Sequence, residues 1–215
     1  MIQSKNLVAT FILIFLLAAS NIANADGKMY VEGGFTYSLP GDVDAEFTTE
    51  NKTASWGLSS MTGGKVQVGS DFGNIRVDAK LQYLEGDVDD ISGGVTNVKS
   101  IVNSQGPNAA LGVATLNFYY DIDLKKGDKG AFTPYVGFGI GMARGFMQAQ
   151  GTLVKNGGSL REDHRTSDGT AIAGIAGAFF KINDKAGITT EYEYLDVDFG
   201  GLSNHSFSAG LRLSF

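Results

Sequence analysis

The sequence predicts an all-β chain, an eight-stranded antiparallel up-and-down transmembrane β-barrel. Three observations carry that prediction. Eight segments alternate apolar and polar residues with period two, the spacing at which successive side chains of a strand point to opposite faces. The connections between them alternate, long and polar at one end of a meander and mostly shorter at the other. The polar faces are rich in Gly, Ser, Thr, Asn and Gln, with few charges of both signs. That composition suits the narrow interior of an eight-stranded barrel better than a solvated surface.

Residues 1–25 are expected to lie outside the fold. Lys5 precedes an apolar run over 7–19, and Ala23-Asn24-Ala25 follows as a small-residue cleavage site. Together they read as an export signal removed after Ala25, leaving one domain over 26–215. The apolar run is shorter than the ~20 residues a spanning helix needs, and 171–180, the longest later apolar stretch, is shorter still.

Eight strands follow in order. Over 29–39, Met29, Val31, Phe35, Tyr37 and Leu39 oppose Tyr30, Glu32, Gly34, Thr36 and Ser38. Over 64–72, Val66, Val68 and Phe72 oppose Lys65, Gln67, Gly69 and Asp71. A tight turn at Gly73-Asn74 leads into 75–83, where Ile75, Val77, Ala79, Leu81 and Tyr83 oppose Arg76, Asp78, Lys80 and Gln82. In 110–122, Ala114, Leu116, Phe118, Tyr120 and Ile122 oppose Thr115, Asn117, Tyr119 and Asp121. In 134–143, Val136, Phe138, Ile140 and Met142 oppose Tyr135 and three glycines. The segment 170–182 is apolar on both sides, with Lys181 assigned to the polar face. In 187–194, Ile188, Tyr192 and Tyr194 oppose Thr189, Glu191 and Glu193. The last strand sets Phe207, Ala209, Leu211, Leu213 and Phe215 against Ser206, Ser208, Gly210, Arg212 and Ser214. The long connections are 40–60, 85–108 and 146–169.

Alternation alone fits both a soluble carrier barrel, with apolar residues inside, and a membrane barrel, with apolar residues outside. The apolar faces decide it. None carries a charge over the middle of a clear strand, and Lys or Arg facing lipid at mid-bilayer costs about 2–4 kcal/mol. Tyr37, Phe72, Tyr83, Tyr120, Tyr194 and Phe215 lie towards strand ends on that face, where interfacial girdles form. A ten-residue strand tilted about 45° rises roughly 23 Å, close to the ~25 Å apolar band of such barrels. The charges on the other face, Glu32, Lys65, Asp71, Arg76, Asp78, Lys80, Glu191, Glu193 and Arg212, are then expected to form a paired network in the lumen, since unpaired buried charge is costly.

Composition excludes several functions. With no cysteine there is neither a disulfide scaffold nor a thiolate metal site, and two histidines leave little for a zinc or haem centre. No cofactor or resident metal is expected. A net charge of −6 argues against nucleic acid as a partner. Gly137, Gly139, Gly141 and Gly145 alternate within a strand, whereas a phosphate loop needs a turn leading into a helix; they read as small residues lining a tight lumen. His205 and Ser206 are adjacent and so face opposite sides, and Ser208 also differs in parity from His205. With no acidic residue expected on the outward face of strand seven, no catalytic residue is assigned. Asp-Val-Asp occurs three times, giving Asp42 and Asp44, Asp87 and Asp89 with Asp90 beside them, and Asp196 and Asp198. All are placed in connections at the long-loop end. They are candidate oxygen ligands for Ca²⁺ or Mg²⁺, weighed against plain solvated loop charge.

The alternation of Phe207, Leu211, Leu213 and Phe215 up to the last residue resembles the C-terminal signature of bacterial outer-membrane proteins. That resemblance implies recognition by the barrel-assembly machinery. Thr133-Pro134-Tyr135-Val136-Gly137-Phe138-Gly139-Ile140-Gly141 resembles the fifth-strand motif of the small outer-membrane barrel superfamily, which includes the OmpA transmembrane domain, OmpX and alpha-proteobacterial surface antigens. Leu116-Asn117-Phe118-Tyr119-Tyr120-Asp121 is similar to that group's fourth strand. Tyr192-Glu193-Tyr194-Leu195 resembles its seventh, where many members carry Arg in place of Glu193. The resemblance covers about 26–215 and specifies architecture. Unlike full-length OmpA, the chain is expected to carry no C-terminal peptidoglycan-binding domain.

The function this implies is that of a non-enzymatic protein of the bacterial outer membrane. It would contact outer-membrane lipid and lipopolysaccharide and present its long loops to an extracellular partner, as a surface antigen or adhesin-like protein does. The alternatives are a narrow porin for small solutes and an outer-membrane lipid-modifying enzyme.

Overall fold

The structure is a computed structural model. It describes residues 27–47, 52–92, 109–122, 132–149, 152–153, 158–159, 163–198 and 201–215. The predicted export signal and parts of the long connections lie outside these residues.

Eight antiparallel strands close into a barrel. They are β1 (Lys28–Pro40), β2 (Met61–Asp71), β3 (Ile75–Gly86), β4 (Ala109–Asp121), β5 (Phe132–Ala149), β6 (Asp163–Lys181), β7 (Ala186–Val197) and β8 (Leu202–Ser214). Each pairs with its sequence neighbours, and β1 meets β8 from Tyr30↔Ser214 to Pro40↔Asn204. Closure removes the open edges that a sheet would otherwise expose. Short turns join β2 to β3 and β6 to β7 at one end, and Gly73, with φ 97°, supplies the left-handed residue of the first.

Burial settles which face is which. Phe35, Phe138, Ile140 and Leu211 are 60%, 59%, 52% and 49% exposed, whereas Glu32, Arg76 and Lys80 are 0%, 1% and 2% exposed. The apolar stripe of the barrel strands therefore faces outward, and Glu32, Lys65, Arg76, Asp78, Lys80, Glu191, Glu193 and Arg212 face inward. A soluble carrier barrel would have the reverse.

Several strands run further than alternation predicted. β2 starts at Met61, β5 reaches Ala149 and β6 begins at Asp163, so much of 146–169 is strand. The connection 40–60 contains strands Val43–Phe47 and Lys52–Leu58, and 85–108 contains Val88–Ser92. These three form one sheet, ordered 43–47, 52–58, 88–92. The physical reason is continuity. Val43–Phe47 pairs with Lys52–Leu58 as β1 pairs with β2, and Lys52–Leu58 pairs with Val88–Ser92 as β2 pairs with β3. The barrel wall thus resumes above a short break, where Ser59 N–H donates to the Asp87 carbonyl at 2.9 Å.

The lumen has two halves. Towards the short turns it is polar. Towards the long loops it is mostly a packed apolar core of Met61, Leu84, Leu111, Val113, Leu195, Val197 and Leu202, with Ala171, Ala173 and Ile175 from β6, beside a buried polar cluster on β1 and β8 in which Ser38 donates to Asn204 and Asn204 Nδ2 donates to Ser206 at 3.3 Å. The all-polar interior expected from alternation is corrected here. Leu111 and Val113 share the parity of Thr115, and β6 is apolar on both sides because its inner face belongs to this core. Lys181 has inward parity on that apolar face, yet it emerges exposed at the strand end and pairs with Asp184 at 2.7 Å.

The inner wall of β5 is built of glycine where neighbours come close. A Cβ on Gly141 would lie 1.9 Å from the Ala114 carbonyl oxygen, and one on Gly139 would lie 2.1 Å from Asn117 Oδ1. Backbone cannot yield as a side-chain tip can. Gly141→Val is expected to cost about 1–3 kcal/mol of folding free energy by overpacking, read as a lower midpoint in urea unfolding from lipid vesicles.

Candidate functional site

The polar half of the lumen is the densest cluster of charge among the described residues. β1 supplies Glu32, whose carboxylate is the hub. It accepts Arg212 Nε and Nη2 on Oε2 at 3.0 and 2.9 Å and the Thr189 hydroxyl on Oε1 at 2.7 Å. Lys65 Nζ lies 3.3 Å from Oε1 and donates to Glu191 Oε1 at 2.9 Å. Tyr135 OH donates to the other Glu191 oxygen at 3.1 Å. Lys80 pairs with Glu193. Arg76 Nε donates to Asp121 at 2.8 Å.

Aromatic rings complete the network. The Arg76 guanidinium lies 4.6 Å from the Tyr119 ring and 4.5 Å from that of Tyr135, and Arg212 lies 4.3 Å from Tyr30. Such contacts suit guanidinium, a weakly hydrated planar cation. Asp78 is held by neutral donors, Tyr30 OH at 2.7 Å and Asn117 Nδ2 at 2.8 Å. The chemistry available is mutual neutralisation and rigid positioning. Each ionised group named above except Asp78 sits against an opposite charge, as burial requires.

The sequence assigned nine charged residues to this network. The structure brings Glu32, Lys65, Arg76, Asp78, Lys80, Glu191, Glu193 and Arg212 together in the lumen. Asp71 is placed at the barrel end, half-buried, where its Oδ1 accepts the Gly73 N–H at 2.8 Å and shapes the β2–β3 turn. Tyr30, Asn117, Tyr119, Asp121, Tyr135 and Thr189 were not named as site residues, although they share the inward parity and alternation could have flagged them.

Of the aspartates, Asp42, Asp87, Asp196 and Asp198 are exposed at the long-loop end. Not all sit in connections: Asp44 falls in strand Val43–Phe47, Asp89 and Asp90 in Val88–Ser92, and Asp196 in β7. The side chains of Asp44, Asp89 and Asp90 lie outside what the structure describes. Among the described residues no group of three or more His, Asp or Glu is arranged to hold a metal ion.

The outer face carries its own polar rim. Arg144 on β5 and Asp168 on β6 stand opposite each other and form a two-point ion pair, at 2.6 and 2.8 Å. His205 faces outward, with Nδ1 2.8 Å from Tyr192 OH and its ring 5.1 Å from that of Tyr194. The expectation that strand seven has no outward acid is corrected: β7 runs to Val197, so Asp196 shares the outward face with Tyr192 and Tyr194 and stands opposite Ser203. Ser206 is buried inside, on the face away from His205. Phe207, Leu211 and Leu213 of the C-terminal strand and Phe215 just after it are exposed.

A family model described as "Outer membrane protein beta-barrel domain" matches residues 9–215. No curated protein sequence matches. Solved structures similar to this chain include Neisserial surface protein A, at 12% identity and TM-score 0.57 over 87% of this chain and 97% of that one. OprG from Pseudomonas aeruginosa is similar at 16% identity and TM-score 0.54, over 88% and 96% of the two chains. Ail, the attachment invasion locus protein of Yersinia pestis, was solved in complex with the heparin analogue sucrose octasulfate. It is similar at 12% identity and TM-score 0.52, over 89% of this chain and 100% of that one. At these identities the likeness is one of fold.

Proposed function

The chain belongs to the outer membrane protein β-barrel family, which places it in the bacterial outer membrane, and from that premise we propose that it is a non-enzymatic surface protein that presents binding elements on a closed barrel. The observation that carries this reading is the division of the lumen. A paired charge network fills one half, and leucine, valine and alanine fill most of the other beside the buried Ser38, Asn204 and Ser206. A conducting lumen needs an open, water-filled path, and the side chains buried in both halves of this eight-stranded barrel fill it. Structure at the long-loop end is correspondingly elaborate, with three strands continuing the wall there and β5 and β6 extending as a hairpin.

Other parts of the surface fit the same setting. Arg144, Asp168 and Asp196 mark the outer edge of the apolar band, at the level where lipopolysaccharide head groups sit. The exposed Phe207, Leu211, Leu213 and Phe215 are the residues we assign to recognition by the assembly machinery. The acidic segments 42–46 and 87–90 suit a cationic partner or bridging divalent cations better than a sulfated polysaccharide.

The narrow porin is the second reading, favoured by the lumen charges. Single-channel recording in planar bilayers separates the two. The closed-barrel reading expects no steady conductance steps from the purified chain, and regular steps would establish the porin. An epitope placed within 48–51 is expected to be accessible to antibody on intact cells, which checks that this end faces outward.

A further inference from the structure

The outward face differs from one side of the barrel to the other at its long-loop edge. On β5 and β6 that edge carries Arg144 paired with Asp168. The outward positions of β1, β8 and β7, over 29–39, 203–213 and 188–196, hold no lysine or arginine. Their upper residues form a ladder. Lowest, the Phe207 ring packs 5.3 Å from that of Tyr192. In the next row His205 stands opposite Tyr194 on β7 and Leu39 on β1, and its ring lies 5.1 Å from that of Tyr194. Above them Ser203 stands opposite Asp196, and the chain runs on to Asp198, whose N–H donates to the Thr170 carbonyl at 2.9 Å. Tyr192, Tyr194, His205, Phe207, Asp196 and Asp198 are exposed.

Each rung has its own chemistry. The Tyr192 hydroxyl lies 2.8 Å from His205 Nδ1. A phenol donates to a neutral imidazole nitrogen, which assigns the remaining imidazole proton to Nε2 and makes that N–H a donor. The half-buried Ser203 adds a hydroxyl one row above. The Tyr194 ring offers a face to cations, and Asp196 and Asp198 add negative charge. Successive outward rows lie about 6.7 Å apart along a strand, and opposed positions about 4.5–5.5 Å apart across it. From the bilayer outward the order is apolar ring, hydrogen-bond donor, then carboxylate. A phospholipid whose head group ends in an ammonium has the matching order: acyl chain, phosphate, then a cation on a two-carbon link. A lipid with phosphates outermost would meet the carboxylates as like charges.

We propose that this ladder seats one zwitterionic phospholipid, with its phosphate on His205 Nε2 and the Ser203 hydroxyl and its ammonium between the Tyr194 ring and the carboxylates of Asp196 and Asp198. The acyl chains lie below, against Tyr192 and Phe207. The phosphate contact is common to every phospholipid, whereas the carboxylates attract only an ammonium, so selection resides at the top of the ladder. This goes beyond the reading above, since it concerns the lipid-facing wall and not the loops. It rests on that reading only for the leaflet concerned, whereas binding itself is a property of the purified chain.

The test uses the full chain in maltoside detergent and counts bound lipid by native mass spectrometry. The probes are dioleoyl phosphatidylethanolamine and dioleoyl phosphatidylglycerol, which share chains and phosphate and differ in the ammonium. One phosphatidylethanolamine per chain is expected to bind about fivefold more tightly than phosphatidylglycerol. Asp196→Asn with Asp198→Asn is expected to abolish that preference by weakening phosphatidylethanolamine about fivefold. His205→Phe is expected to weaken both lipids alike, by about threefold, through the lost phosphate contact. Glu85→Gln, which changes an exposed outward acid of β3, is expected to leave the preference intact. All four side chains are exposed, so the fold is retained. Equal binding of the two lipids, a preference that survives the double substitution, unchanged binding in His205→Phe, a preference lost in Glu85→Gln, or tighter binding of diphosphorylated lipid A would each overturn the proposal. None of these outcomes alters the conductance or antibody results, so the two readings fail separately.

Discussion

Replacing Glu32 with alanine is expected to remove about 3–5 kcal/mol of stability, the usual consequence of breaking a buried ion pair from one side. Glu32 accepts from Arg212 and Thr189 and faces Lys65. Lys65 keeps Glu191 after the change. Arg212 does not have such a reserve: it is left against the rings of Tyr30 and Phe179, at 4.3 and 5.1 Å. Cation–π contacts contribute about 0.5–2 kcal/mol and do not replace a buried counter-charge. Reversible urea unfolding from phospholipid vesicles reads the change. A loss below about 1 kcal/mol would mean that the lumen is solvated enough to stabilise a lone guanidinium, which favours the porin. Glu32→Gln is expected to fall between, since it keeps the acceptor and loses the charge.

Phe138→Arg has the second large effect, and it bears on the outside of the barrel. Phe138 lies near the middle of the outward stripe of β5, 59% exposed and stacked on Phe118 at 5.2 Å. In water, a surface position of that exposure tolerates most substitutions within about 0.5 kcal/mol. In a bilayer, arginine near the midplane costs about 2–4 kcal/mol, falling to ~0–1 kcal/mol at the interface. The account therefore expects a large loss for Phe138→Arg, a small one for Phe138→Leu, and a small one for Phe146→Arg, which lies beyond the Arg144–Asp168 pair. Equal effects at the two arginine positions would show no depth dependence and hence no bilayer around the strand.

How far the sequence could be read depended on which signal each region carried. Alternation was legible wherever one face is apolar and the other polar, as in β1, β3, β7 and β8, because the two faces meet different media. It failed where both faces are apolar. β6 buries Ala171, Ala173 and Ile175 inside while Ile172 meets lipid outside, so its period is invisible in hydrophobicity and its inner face shows only in the fold. The same confusion hid Leu111 and Val113, lumen residues on a strand whose next inward position is Thr115. The lumen charges stood out because period two groups them on one face, but their partners depend on which strands adjoin at closure and which face each other across the lumen. Lys65 reaching Glu191 and Glu32 reaching Arg212 join residues 126 and 180 apart, and no local pattern encodes that. Strand ends were the weakest point. Polar composition made 40–60 and 146–169 look like loop, yet hydrogen bonding to an already formed neighbour extends a strand beyond the point where its side chains alternate.

The central claim is that the apolar stripe faces lipid and the charged stripe faces the lumen. The chain has no cysteine, so single substitutions Val136→Cys, Ile140→Cys and Leu211→Cys each accept one nitroxide spin label on the folded protein in phospholipid vesicles. The account predicts that dissolved oxygen, which concentrates in the bilayer, relaxes all three labels far more than a water-soluble nickel chelate does. Labels relaxed mainly by the nickel chelate would put that stripe in water and contradict the account.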